Sequence, residues 1–145
     1  MKVCDCMSRD VQIANPNQSI REAAQMMARI DSGVLPVGDN DRLVGVITDR
    51  DITIRAVAEG KAPTTKVGEV MSHEVLYCFE DQDLEDIAQN MAEMKVRRMP
   101  VVNRDKRLVG IISLGDVARR EDARTTGQAV SDISEHGGEH SQAAH

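Results

Sequence analysis

The chain repeats itself, and that duplication restricts its fold more than any other feature of the sequence. Met7-Ser8 is answered by Met71-Ser72, and Ala24-Gln25-x-Met27-Ala28 by Ala88-Gln89-x-Met91-Ala92, at an offset of about 64 residues. Leu35-Pro36-Val37 then meets Met99-Pro100-Val101. After one extra residue in the second copy, Arg42-Leu43-Val44-Gly45-Val46-Ile47 meets Arg107-Leu108-Val109-Gly110-Ile111-Ile112. The frame closes on Thr48-x-x-Asp51 and Ser113-x-x-Asp116. So many matches in one order mean one structural unit written twice.

Each copy predicts strand, helix, strand, strand, helix. Val11–Ile13 and Val75–Cys78 read as short strands. Ser19, with Glu22 three residues on, caps the first helix, and Asp83 with Asp86 is its looser counterpart. Ile20, Ala23, Ala24, Met27 and Ile30 form one apolar stripe; Leu84, Ile87, Ala88, Met91 and Met94 form the other. Two apolar runs around Gly38-Asp39-Asn40-Asp41, and two around Asn103-Arg104-Asp105-Lys106, read as hairpins. Pro36 and Pro100 inside these runs point to an edge strand or a strand start, because proline has no N–H to give a ladder. The closing helices are expected from Arg50 to about Glu59, stopped by Gly60, and from Gly115 to about Ala123.

A copy of roughly 60 residues buries too little surface to be comfortable alone, so the two must pack together. The expected division is a first motif at 1–60, a short polar linker at 61–66, a second motif at 67–123, and a flexible polar tail at 124–145. With one Tyr, one Phe and no Trp, the cores must be aliphatic, and the eight methionines make them adaptable.

The net charge of −6 argues against nonspecific nucleic-acid binding, which needs a clustered positive surface. No stretch has the length of a membrane span, and Met1-Lys2-Val3-Cys4-Asp5-Cys6 has no apolar signal segment, so a cytoplasmic protein is expected. Cys4, Cys6 and Cys78 form no disulfide framework and read as reduced thiols. Cys4-x-Cys6 lacks the second pair a structural zinc site needs, and the tail set His136, Glu139 and His140 fits no rigid site, so no metal is expected. His73 is the only histidine within the repeats, and neither a Ser-His-Asp set nor a Walker loop occurs. The chain therefore reads as a binder rather than an enzyme.

The repeated hydroxyl and carboxylate carry the chemistry. Thr48 with Asp51, and Ser113 with Asp116, each join a strand end to a helix start, where a carboxylate can accept hydrogen bonds from vicinal ribose hydroxyls. The same residues also suit plain helix caps, the acid favoured by the helix dipole. Gly45 and Gly110, in the strands before them, allow a close approach of backbone or ligand.

Taken together, residues of about 3 to 122 resemble the paired cystathionine-β-synthase-type (CBS) domains, the tandem called a Bateman module. The resemblance rests on the Met7 and Met71 openings and on Gly33-Val34-Leu35-Pro36-Val37 with Arg98-Met99-Pro100-Val101-Val102. It rests also on Leu43-Val44-Gly45-Val46-Ile47-Thr48-Asp49-Arg50-Asp51 with Leu108-Val109-Gly110-Ile111-Ile112-Ser113-Leu114-Gly115-Asp116. It implies an α/β (α+β) fold of two βαββα motifs packed by their sheets around a pseudo-twofold axis. It also implies clefts for adenosine-containing ligands: AMP, ADP, ATP, S-adenosylmethionine or NAD. By resemblance Asp51 and Asp116 would hold ribose, and Thr48 and Ser113 phosphate or ribose. Adenine would lie against Val11 or Ile13 with Val34 and Leu35 in one site, and against Val75, Tyr77 and Met99 in the other. Arg97 and Arg98, where the first copy has Gly33 and Val34, would face phosphate, with Arg50 a further candidate. One arginine of the adjacent pair is expected to point inward, since neighbours on a strand face opposite ways. A homodimer and a separate effector protein are the implied partners. The competing reading is a ligand-free scaffold, redox-responsive through Cys4, Cys6 or Cys78.

Overall fold

The computed structural model describes residues 1–119 and 131–133. It divides into two compact units, and neither is a contiguous repeat. The first unit is Gln12–Val75; the second joins Met1–Val11 to Leu76–His145. Each repeat thus gives its opening segment to the unit built on the other repeat's hairpin.

In the first unit α1 (Ile20–Ile30) leads to β1 (Val34–Asp39) and β2 (Arg42–Thr48), an antiparallel pair. A short α2 (Asp49–Asp51) runs on into a π-helical turn, Ile52–Val57, and α3 (Val67–Val70) closes the unit. In the second unit a 3-10 turn at Val3–Asp5 precedes β3 (Cys78–Phe79), α4 (Leu84–Met94), β4 (Arg98–Val102), β5 (Leu108–Ser113) and α5 (Leu114–Ala118). Its sheet has the order β3-β4-β5. Mixed helix and strand are as expected.

The strand expected at Val11–Ile13 is absent, and that at Val75–Cys78 shrinks to Cys78–Phe79. Proline explains both. Ala14 donates to the Pro36 carbonyl at 2.9 Å and accepts from Gly38 N–H at 2.9 Å, making a single parallel bridge to Val37. The next rung towards the N-terminus would need an N–H at Pro36, which has none. In the second unit the parallel pairing likewise begins at Val101, immediately after Pro100. Pro100 therefore sits in the central strand of its sheet rather than at the expected edge, and limits its neighbour instead of avoiding it.

The helix starts show how the opening segments are held. Ser19 caps α1 as expected, its hydroxyl accepting from Glu22 N–H at 3.1 Å. Asp83 makes no side-chain cap. The first N–H of α4 instead donates to the Met1 carbonyl at 2.9 Å, as that of α1 donates to Thr65 at 2.8 Å. Val3 N–H reaches Gln82 and Val67 N–H reaches Gln18, at 3.0 and 2.8 Å. The first orphan donor of each helix is thus satisfied by main chain from far along the sequence. The stretch read as a linker, 61–66, is thereby part of the first unit's fabric: Pro63 also accepts from Arg21 N–H at 3.2 Å.

The cores are aliphatic. The first gathers Ile20, Ala23, Met26, Met27, Leu35, Val37, Ile47, Val67, Val70 and Met71. The second gathers Val3, Met7, Leu84, Ile87, Met91, Met99, Val101, Ile112 and Val117. The helix stripes are rotated from the expected ones. Ala24, Ile30 and Met94 are exposed, while Met26 and Ala92 are buried. Residues 131–133 are helical, and Ile133 is buried in the second core, so the stretch read as a polar tail supplies a core residue. The rest of that tail, and the end of the closing helix expected near Ala123, lie outside the described residues.

Gly45 and Gly110 explain the repeated Met-Ser. Ser72 exchanges backbone hydrogen bonds with Val46 at 2.8 and 3.0 Å, and Ser8 with Ile111 at 2.9 Å each way. A Cβ on Gly45 would lie 2.7 Å from the Ser72 carbonyl oxygen and 2.8 Å from Met71 Sδ. On Gly110 it would lie 2.8 Å from Ser8 O and 2.6 Å from Met7 Sδ. The close approach read from the glycines is thus to the chain's own opening segments. Gly45→Ala and Gly110→Ala should each cost about 1–3 kcal/mol through overpacking and lower the melting temperature by several degrees. Unchanged melting by calorimetry would mean that the Met-Ser segments are not seated there.

Candidate functional site

The heads of α2 and α5 repeat one construction. Thr48 Oγ1 accepts from Asp51 N–H at 3.0 Å, and Asp51 Oδ2 accepts from Thr48 N–H at 3.0 Å. Ser113 Oγ accepts from Asp116 N–H at 3.2 Å, and Asp116 Oδ2 from Ser113 N–H at 2.9 Å. Both are reciprocal capping boxes, so the capping role is real in each copy. It occupies only half of each carboxylate. The second oxygen, Oδ1, faces an arginine one turn along: Arg55 Nε lies 3.8 Å from Asp51, and Arg119 hydrogen-bonds Asp116 more closely.

Sequence reasoning missed these two arginines. The spacing of three or four residues along a helix was the available signal. Arg55 also donates to the carbonyls of Val70 and Met71, at 3.5 and 3.4 Å. It therefore ties the Asp51 carboxylate to the end of α3. The Asp116 side chain is the more enclosed, 8% exposed against 16% for Asp51.

Strand register decides which neighbours share each site's face. Val34 lies opposite Thr48 and Arg98 opposite Ser113. Residues paired across an antiparallel ladder project to the same side, so Arg98 belongs with the Ser113 hydroxyl. Arg97 approaches through its backbone, its carbonyl accepting from Leu114 N–H at 2.8 Å, as Gly33 accepts from Asp49 N–H at 2.9 Å. Both arginines are exposed and neither forms an ion pair among the described residues. Arg50 is exposed on the first turn of its helix. A Cβ on Gly33 would meet Asp49 Oδ2 at 2.6 Å, the far end of an exposed side chain that can move aside. The second copy replaces the pair together, with Arg97 and Leu114.

Other expected contacts fall elsewhere. Leu35 and Met99, 0% and 3% exposed, point into the two cores, because alternation along β1 and β4 gives the opposite face to Val34 and Arg98. Val11 and Ile13, read as alternatives for one contact, belong to different units, and so do Val75 and Tyr77. Tyr77 is exposed, whereas Val11, Ile13 and Val75 are half-buried.

Burial pushes the Cys78 thiol up from 9.0 to about 12. It is a core residue, and its Sγ lies 3.8 Å from the Pro100 carbonyl oxygen. A thiol so held is not a redox sensor, because the thiolate is the reactive form. Cys4 and Cys6 are half-buried and in no disulfide. Among the described residues no group of three or more metal-ligating side chains gathers, and no helix is long and apolar enough to cross a membrane.

Two hairpins, each ending in a hydroxyl–carboxylate box and each completed by the other repeat's opening segment, define a tandem CBS protein. The CBS domain profile matches residues 3–57 and 67–122, and the chain belongs to that family. It is 41% identical over 133 residues to the CBS domain-containing protein YhcV of Bacillus subtilis, covering 91% of this chain and 94% of that one. Among solved structures it resembles the CBS domain pair of protein MJ0100 in complex with 5′-methylthioadenosine and S-adenosyl-L-methionine. The TM-score is 0.71 at 32% identity, over 82% of this chain and 94% of that one. It resembles equally CBSX2 in complex with AMP, with TM-score 0.71 at 30% identity over 81% and 93%.

The thiols provide a direct check. At pH 8 an aromatic disulfide reagent should titrate Cys4 and Cys6 in the native protein and Cys78 only after denaturant. The folded state keeps the Cys78 proton from its ordinary 9.0 up to about 12, so this group's contribution to stability is complete below pH 9 and lost only above it. Rapid native labelling of Cys78 would contradict its place in the core.

Proposed function

We propose that the chain is a sensor of adenosine-containing small molecules, with ligand sites at the heads of α2 and α5. The observation that carries this reading is the half-used carboxylate, present twice. Oδ2 of Asp51 and of Asp116 is held by the chain's own backbone, which fixes the carboxylate's direction. Oδ1 keeps a lone pair beyond its arginine contact and can accept a ribose hydroxyl. Complexes of two similar CBS proteins with AMP and with S-adenosylmethionine and methylthioadenosine support the ligand class.

In the second site Arg98, on the face of Ser113, meets a phosphate, with Arg97 beside it; guanidinium forks suit phosphate oxygens. In the first site Val34 takes the position of Arg98, and Thr48 and Arg50 are the groups available to a phosphate. Ile13 and Val34 offer apolar contact to adenine in the first unit, and Tyr77 in the second.

Signalling follows from Arg55. A ribose on Asp51 competes for the oxygen that Arg55 faces, and Arg55 also holds the carbonyls at the end of α3, just before the Met71-Ser72 bridge to β2. Ligand then shifts the population of arrangements of that segment, and a partner reads the changed surface. Ile54 and Val57, exposed on the turn after α2, suit contact with a second copy as a homodimer.

Calorimetric titration with AMP, ADP, ATP, methylthioadenosine and S-adenosylmethionine tests the reading. Asp51→Asn and Asp116→Asn keep an oxygen for the cap but remove the carboxylate. Each should weaken binding at its own site by about tenfold, the worth of one lost charged hydrogen bond. Unchanged affinity in the double variant would remove the ribose assignment. Binding of none of the five compounds would leave the dimeric scaffold as the function.

A further inference from the structure

The opening segment of the second unit carries three sulfur side chains that the matching segment of the first unit lacks. Met1-Lys2-Val3-Cys4-Asp5-Cys6-Met7 aligns with Thr65-Lys66-Val67-Gly68-Glu69-Val70-Met71. The lysine, the core valine, the acid and the seated methionine are kept. Met1, Cys4 and Cys6 are what changes, all three to residues without sulfur. The frame of the segment is thus shared, and the sulfurs are an addition to it.

Two of these sulfurs touch: the Cys6 thiol lies 3.2 Å from the Met1 thioether sulfur. Cys4, two residues before Cys6, packs against the same core and is half-buried like it. Their backbone is held from several sides. The Met1 carbonyl accepts from Leu84 N–H at 2.9 Å, and Cys4 N–H donates to the Glu80 carbonyl at 2.9 Å. The Cys4 carbonyl accepts from Arg9 Nη2 at 3.1 Å, and Cys6 N–H donates to the Val3 carbonyl at 3.0 Å, closing the 3-10 turn. Each sulfur therefore hangs from main chain that folding has already placed. Met1 is 62% exposed, so an ion from solvent reaches the pair.

The donor set decides the ion. Among the described residues no three His, Cys, Asp or Glu side chains gather, which leaves zinc and the harder divalent ions without the ligands they need. Thiolate and thioether together suit a soft ion of low coordination number. We infer that Met1, Cys4 and Cys6 form a copper(I) site on the opening segment of the second unit. On binding, each cysteine gives up its thiol proton and the thioether gives up none. The metal keeps its oxidation state. The site is independent of the adenosine reading and stands or falls without it.

Full-length protein, kept reduced and free of oxygen, is titrated with copper(I) against a chromogenic copper(I) chelator. A single copper(I) should be held per chain, and it should protect Cys4 and Cys6 from the aromatic disulfide reagent. Cys4→Ser and Cys6→Ser should each weaken binding by about a hundredfold or more, at least the worth of a contact that merely supports a ligand. Cys78→Ala should leave it unchanged. In selenomethionine-labelled protein, X-ray absorption at the copper edge should show selenium beside sulfur around the metal, which two cysteines alone would not give. Copper(I) should also raise the melting temperature by several degrees, because folded contacts gather the three sulfurs. These last two readouts use the unsubstituted chain and do not depend on a variant folding. Copper retained by the Cys4→Ser/Cys6→Ser double variant, a metal shell without selenium, unchanged melting, or zinc held as tightly as copper(I) overturns the site.

Discussion

The structure depends on one exchange: the Met-Ser opening of each repeat is paired, main chain to main chain, with the glycine-bearing strand of the other. The hydrogen bonds of Ser72 with Val46 and of Ser8 with Ile111 are the visible part. Gly45 and Gly110 make room for the backbone and for the methionine sulfur behind it. The same segments then satisfy the first N–H of α1 and α4 and send Val67, Val70 and Met71 into one core, Val3 and Met7 into the other. A hairpin and one helix leave a face uncovered, and a unit this small cannot leave it so. The exchange covers it with chain already present.

This arrangement explains why the capping boxes stand at the ends of β2 and β5. Each strand is held near its middle by one bridge to an opening segment. Their last residues, Thr48 and Ser113, are free to turn directly into helix through a capping box. The box spends one carboxylate oxygen on the backbone and so aims the other. A single residue thereby serves the fold and keeps a directed acceptor, so the cap does not by itself exclude the binding role proposed for Asp51 and Asp116.

Much of this was legible in the sequence, and the parts that were not share a cause. The helices, the hairpins and both hydroxyl–carboxylate pairs follow from local periodicity and turn chemistry, which do not depend on what packs against them. The reason for Gly45 does depend on it. A duplicated sequence writes the same Met-Ser twice, so nothing in the pattern says whether Gly45 receives its own repeat's Met7 or the other repeat's Met71. The Asp83 cap did not form: the Met1 carbonyl, from far along the chain, meets the first N–H of α4, and the Asp83 side chain accepts no helix N–H. Pro36 and Pro100 were read correctly as unable to donate. The consequence fell on the neighbouring strand, which they cut short. Leu35 and Met99, read as adenine contacts, are buried in the two cores, since one residue's shift along a strand exchanges one face for the other.

Where the repeats disagree, they do so in coupled sets. Gly33 with Asp49 becomes Arg97 with Leu114, so where the first copy sets a glycine beside a carboxylate the second carries an arginine and no acid. Ile13, Asn15 and Asn17 become Tyr77, Phe79 and Asp81, with Arg104 arriving in the longer hairpin turn to join the last two. Neither set touches the exchange that holds the units, and neither alters a capping box. The residues that diverge are neither those of the boxes, Thr48, Asp51, Ser113 and Asp116, nor those of the Met-Ser pairings. Two copies of one scaffold can therefore diverge at these positions while both keep the capping box that starts the helix after the hairpin.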